Sequence, residues 1–172
     1  LSISSQKEGQ RIEADMVREF AGSRILLVED NEIKQMVADE FLSQAGMLVT
    51  IADNGKEALA LLNDRPFDLV LMDIQMPEMD GLTAARHIRE QERFSRLPIL
   101  AMTAPAMRQD HKKSLDAGMN APVTKPLNSL ELFKCLSEWL RTGQAAATNG
   151  TPLLPEATPV PFLFLAYPFR AL

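Results

Sequence analysis

Apolar residues in this chain fall into short runs and helical stripes that alternate in a regular way from Arg24 onward. Residues 25–28 form a brief apolar run that ends in Glu29-Asp30-Asn31. Ile33, Met36, Val37 and Phe41 follow at helical spacing and stop at Gly46, a good C-terminal signal. Leu48–Ala52 is a second, less apolar run, as suits an edge strand. Asn54 with Glu57 has capping-box spacing and starts a helix through Leu62, which Arg65-Pro66 breaks. Residues 69–72 are continuously apolar, too short for a helix and bounded by charge, which predicts a strand covered on both faces. That strand delivers Asp73 to its end. Pro77 then forces a turn, Asp80 offers an N-cap, Gly81 a permissive position, and a helix runs to about Gln91.

The rest repeats the alternation. Residues 98–102 predict a fourth strand ending at Thr103, and residues 104–117 a helix closed by Gly118. Ala121–Thr124 is a very short strand ending at Lys125-Pro126. Asn128 and Glu131 repeat the capping spacing, and Leu132, Phe133, Leu136, Trp139 and Leu140 make the stripe of the last helix. Five strand–helix repeats over residues 24–140 imply an α/β domain with a parallel sheet, right-handed crossovers and helices on both faces. The expected strand order is 2-1-3-4-5, the flavodoxin-like doubly wound arrangement.

The ends read differently. In residues 1–23, Ile12, Met16, Val17 and Phe20 lie near helical spacing, but a lone helix of that length is marginal. The segment reads as a partly helical connector. Residues 141–172 carry a Pro/Ala-rich linker composition, with an apolar end at 162–169 too short to span a membrane. That end either docks on the domain or a neighbour, or begins another domain. The opening at Leu1 rather than Met reads as an excised piece.

Composition narrows the function classes. A net charge of -5 with no basic stripe argues against nonspecific nucleic-acid binding. Cys135 is the only cysteine, which excludes a disulfide framework and a thiolate metal site and fits a reducing cytosol. No stretch of about 18 apolar residues exists to cross a bilayer.

In an open parallel sheet, ligands bind beyond the C-terminal strand ends, where the strand order reverses. Strand one brings Glu29 and Asp30 there, strand three Asp73, strand four Thr103 and strand five Lys125. Neighbouring carboxylates repel and raise one another's pKa unless a cation sits among them. Oxygen ligands with room for water suit Mg²⁺. A cation, a hydroxyl donor and an ammonium around one carboxylate make a site for a phosphoryl group, with Asp73 as nucleophile.

These residues carry a resemblance. Residues 25–31, the segment 73–81, Thr103-Ala104 and Thr124-Lys125-Pro126 resemble the receiver domain of two-component response regulators, across about residues 24–140. The wording of residues 29–31, 103–107 and 118–120 is most similar to receivers of hybrid sensor histidine kinases. The resemblance implies Asp73 as phospho-acceptor in a Mg²⁺-dependent phosphorelay. It implies Asp30, Asp73 and the Gln75 carbonyl as metal ligands, with Glu29 acting through water. Thr103 would be the switch hydroxyl and Lys125 the phosphate-binding lysine. Partners would be a histidine kinase or its phosphohistidine domain, or a histidine phosphotransfer domain, in a cytoplasmic setting. The only catalysis implied is the domain's own phosphotransfer and slow hydrolysis. Pro122 stands where receivers usually carry a rotating aromatic, which fits relay better than allosteric output. Pro105 would stiffen the start of the next helix.

Other residues have blander readings. His87 and His111 read as surface residues, and Met72, Met76, Met79 and Met102 as core and loop filling. Cys135 reads as packing, and Asp80-Gly81 as the turn into a helix. Two rival functions stand beside the phospho-acceptor. One is a phosphorylation-independent pseudo-receiver, which the intact acids, Thr103 and Lys125 argue against. The other is an Asp-nucleophile phosphatase of the haloacid-dehalogenase type, which expects a second acid where this chain has Gln75.

Overall fold

A computed structural model describes residues 3–76, 79–104 and 108–149, with backbone only at 108–110 and 143–149. Pro77, Pro105 and the apolar end at 162–169 lie outside the described residues.

The elements in chain order are α1 (Ile3–Phe20), β1 (Arg24–Val28), α2 (Glu32–Gln44), β2 (Leu48–Ala52), α3 (Gly55–Asp64), β3 (Leu69–Asp73) and α4 (Gly81–Arg89). A short 3₁₀ turn at Glu92–Phe94 precedes β4 (Ile99–Thr103), α5 (Arg108–Asp116), β5 (Ala121–Thr124) and α6 (Ser129–Asn149). The five strands are all parallel, in the order β2-β1-β3-β4-β5, as the alternation predicts. β1, β3 and β4 are buried almost throughout, because helices cover both faces of the sheet. β2, the less apolar run, is one edge, and β5, where Pro122 is exposed, is the other. Proline fits an edge strand because it cannot donate to a ladder on both sides.

Alternate strand residues feed two cores. Ile25, Leu27, Leu69, Leu71 and Leu100 face the helices α1, α2 and α6. Leu26, Val28, Val70, Met72 and Ile99 face α3 and α4.

Helix starts at Asn54, Asp80 and Asn128 follow the caps read from sequence, and Asn31 caps α2 in the same way; each accepts a backbone N–H from the third residue on. The Glu57 carboxylate also closes back onto the Asp53 N–H at 2.5 Å. α4 is shorter than expected and gives way to the 3₁₀ turn. The backbone turns extended at Gln91, and the guanidinium of Arg89, the last residue of α4, donates to the carbonyls of Gly118 (2.8 Å) and Phe94 (2.6 Å) and to Asn120 Oδ1 (2.8 Å). Burial pulls the Arg89 pKa down from its ordinary value.

Two expectations need correcting. The periodicity in α2 is helical, but its phase is not the one the apolar residues suggest. Ile33 (73%), Met36 (69%) and Val37 (43%) are exposed, while Gln35, Ala38 and Leu42 face inward. Gln35 is held there by two acceptors, described below. Second, α1 is no loose connector: Met16 and Phe20 are each 1% exposed and sit in the core shared with Leu42, Leu136 and Leu140. Tertiary burial supplies what a lone helix lacks. α6 likewise runs to Asn149, past the end of its apolar stripe at Leu140.

Candidate functional site

The site residues arrive at one edge because β1, β3, β4 and β5 are parallel and in close register. Val28 lies beside Met72, Asp73 beside Met102, and Thr103 beside Thr124. Each strand therefore ends within a residue or so of its neighbour, so its last residue or the one or two after it lie at the rim.

Glu29, Asp30 and Asp73 come together there, with carboxylate oxygens all within 4.8 Å of one another. Glu29 and Asp73 are buried and Asp30 is exposed. Lys125 Nζ donates to Asp73 Oδ1 at 2.8 Å. The Gln75 N–H donates to the same oxygen at 3.2 Å, so neither hydrogen bond recorded at Asp73 among the described residues uses Oδ2. The Glu29 carboxylate accepts the Asn31 N–H at 3.2 Å. Burial, then the charge of Asp73, pushes the Glu29 carboxyl up to about 7. Burial and a neighbouring acid both oppose its ionisation, and the Lys125 ammonium offsets them only in part.

Thr103 ends β4 and is buried, and its carbonyl accepts the Lys125 N–H at 2.7 Å. Its hydroxyl has no hydrogen-bond partner among the described residues. The backbone thus clamps Lys125 to the end of β4 while its side chain crosses to Asp73.

Three further residues shape this edge through contacts that sequence spacing does not reveal. Gln35 Nε2 donates to the Glu29 carbonyl (2.6 Å) and to Asp53 Oδ1 (2.8 Å), which ties the end of β1 to the residue after β2. A glutamine buried in α2 breaks the apolar phase, and that mismatch was the available signal. Gly81 was read as permissive, but its reason is close approach: a Cβ there would lie 2.2 Å from the Asp73 carbonyl oxygen and 2.9 Å from Ile74 Cα. Its N–H donates to the Ile74 carbonyl at 2.9 Å, closing the loop after Asp73. Asn31 fixes the Glu29 carboxylate while capping α2.

His87 lies on the surface beside Glu90, and Cys135 is half-buried with its thiol pushed up to about 11, chiefly by burial. Neither meets the acid cluster.

An acid cluster, a lysine and a buried hydroxyl at this edge of a five-stranded 2-1-3-4-5 sheet are now in place. Residues 25–137 match the family described as the response regulator receiver domain. The chain belongs to that family. Among similar proteins, this receiver is 36% identical over 166 residues to Histidine kinase 5 of Arabidopsis thaliana, covering 81% of this chain and 18% of that protein. It is 39% identical over 130 residues to the sensor histidine kinase GacS of Pseudomonas protegens, covering 74% of this chain and 14% of that one. The chain thus spans less than a fifth of the length of either relative.

Solved structures agree. The receiver domain of the sensor histidine kinase PA1611 from Pseudomonas aeruginosa has a TM-score of 0.66 and 40% identity, covering 70% of this chain and 99% of that one. A magnesium ion is coordinated in its active site cleft. The co-crystal structure of the Saccharomyces cerevisiae phosphotransfer protein Ypd1 with the receiver domain of Ssk1 gives a TM-score of 0.67 and 32% identity, covering 72% of this chain and 92% of that one. Among the described residues, no helix is long and apolar enough to cross a membrane.

Proposed function

We propose that this receiver takes a phosphoryl group from phosphohistidine onto Asp73, as a relay module of a hybrid sensor histidine kinase in the cytoplasm. The observation that carries the reading is the pairing of Asp73 Oδ1 with Lys125 Nζ at 2.8 Å beside two further acids. A purely structural ion pair would not also gather Glu29 and Asp30 beside it, because the charge of Asp73 opposes the ionisation of buried Glu29.

The donor set fits a hard divalent cation, since every side-chain ligand on offer is a carboxylate oxygen. Asp30, Asp73 and the Gln75 carbonyl would hold Mg²⁺, with Glu29 acting through water. When bound, the ion neutralises the acids and the developing charge on the phosphoryl oxygens.

The protein's own residues do the rest. Asp73, ionised, forms a bond from a carboxylate oxygen to phosphorus as the bond from phosphorus to the donor imidazole breaks. The electron pair goes to the ring nitrogen, which takes a proton from water and leaves hydroxide, so atoms and charge balance. Lys125 holds the acceptor in place and meets the incoming oxygens with an ammonium. Thr103 offers a buried hydroxyl with no hydrogen-bond partner among the described residues. Gly81 keeps the backbone behind Asp73 free of a side chain.

The docking face for a phosphohistidine domain is the exposed apolar group Ile33, Met36 and Val37, which opens α2 just beyond Asp30. The solved receiver–phosphotransfer pair supports a partner of this kind.

The test is incubation with acetyl phosphate and Mg²⁺, followed by mass analysis. One phosphoryl group on Asp73, lost on chelation and absent in Asp73→Asn, supports the reading. Labelling of Asp73→Asn at another residue, or none in folded wild-type protein, overturns it in favour of a passive interaction module.

A further inference from the structure

The receiver family match ends at residue 137 and begins at 25, yet the structure holds a contact that lies outside both limits. α1 packs along α6 through buried Met16 and Phe20, in the same core as Leu136 and Leu140. Arg141 grips Glu19 with both arms of its guanidinium, at 2.8 and 3.1 Å, and lies 5.6 Å above the Phe20 ring. Lys134 pairs with Glu8 at 3.7 Å. Glu8 and Glu19 thus meet Lys134 and Arg141 in the same order, so the two helices run parallel.

α6 is also joined to the site. Lys125, whose side chain bonds Asp73, lies four residues before α6 begins at Ser129. In between, Leu127 packs on the core, and Asn128 caps the helix by accepting the Glu131 N–H at 3.1 Å. There is little slack in that connection. A change in what Lys125 bonds is therefore felt at the first turn of α6, and α6 carries the only tryptophan, Trp139, against the core that α1 completes.

We propose that α1 is a reporter helix: its seating on α6 depends on whether the Asp73 site carries a phosphoryl group, through Lys125 and the start of α6. α1 is suited to this because its two halves are held unequally. Its C-terminal half is anchored by Met16 and Phe20, whereas residues 3–8 are exposed and Gly9 has nothing within 4 Å of where a Cβ would lie. A glycine inside a helix with no packing need weakens it there. Movement of Lys125 toward a phosphoryl group draws on the first turn of α6 and disturbs the fit of Arg141 over Phe20, loosening α1. The inference rests on the proposed acceptor role of Asp73.

The experiment uses the full chain with Mg²⁺, with and without beryllofluoride, which occupies the acceptor carboxylate as a phosphoryl mimic. Amide hydrogen exchange is followed at residues 13–20, at Asp73 and at Thr103, together with Trp139 emission. The expected result is exchange at residues 13–20 faster by about fivefold or more, the low end of ordinary coupling between sites. Arg141→Gln, remote from the acids, is expected to speed that exchange without beryllofluoride and to remove most of the response to it. The signals at Asp73 and Thr103 should stay unchanged in that variant. If Asp73 and Thr103 respond while residues 13–20 do not, the reporter role is wrong and the receiver reading stands. A full α1 response in Arg141→Gln would also sink it. Silence at Asp73 and Thr103 overturns both.

Discussion

Lys125 Nζ lies 2.8 Å from Asp73 Oδ1, although 52 positions separate the two residues in the chain. β4 sits between their strands, and the register that sets Thr103 beside Thr124 brings the lysine to the rim. In the proposed phosphotransfer, this pair holds the acceptor and supplies the positive charge that a phosphoryl group requires. Replacing Lys125 by Ala is expected to slow labelling of Asp73 by acetyl phosphate about a hundredfold, the scale of removing one pre-set electrostatic partner. Rates from quenched time courses in Mg²⁺ decide this, and an unchanged rate would remove Lys125 from the mechanism.

Gly81→Ala tests the close approach behind Asp73. The added Cβ would meet only backbone, at 2.2 to 3.0 Å, so either the loop after β3 or the start of α4 must move. We expect a loss of about 1–3 kcal/mol in urea unfolding, as for other overpacked sites, with slower labelling of Asp73. Full stability together with full labelling would show that the backbone gives way easily.

Phe20→Ala asks whether α1 belongs to the folded unit. Phe20 is 1% exposed and among the largest fully buried side chains. Its truncation should cost about 3–5 kcal/mol. Denaturant unfolding of the full chain measures this, and a change within error would mean that α1 contributes little to the core.

Glu29 gives the pH dependence. Its carboxyl is pushed up to about 7 in the fold, chiefly by burial and then by Asp73, against an ordinary 4.5. The folded state therefore holds this proton more tightly than the unfolded chain does. That contribution to stability is complete below pH 4.5 and lost as pH rises to about 7. In chelator, wild-type protein should lose roughly 3 kcal/mol relative to Glu29→Gln between those limits. Mg²⁺ should offset much of that loss, because a cation among the acids favours their ionised forms. Unfolding curves at pH 5 and pH 8, with chelator or Mg²⁺, compare the two proteins. A pH dependence identical in both would show that Glu29 is not the group responsible.

Much was legible in the residues alone. The alternation of apolar runs and stripes predicts five strands, their parallel sense and their order, because buried parallel strands must be apolar on both faces and βαβ crossovers have one hand. Glu29, Asp30, Asp73, Thr103 and Lys125 were readable as a group because each lies at or just past the C-terminal end of a strand, and parallel strands end at one edge. The helix caps at Asn54, Asp80 and Asn128 were equally local, since a cap needs only its own next three residues.

What the sequence could not decide depends on groups far apart along the chain. Apolar spacing shows that α2 is a helix but not how it is rotated about its axis. The Glu29 carbonyl and Asp53 draw Gln35 inward and leave Ile33 and Met36 outside. Nothing within residues 1–23 says that Phe20 is buried, because the surfaces that bury it belong to α2 and α6. The need for Gly81 comes from the Asp73 carbonyl folding back against it, a distance that exists only once the loop has closed. Local chemistry settles which elements form and which groups reach the rim, while rotation, burial and close approach are set by packing partners that only the folded chain brings together.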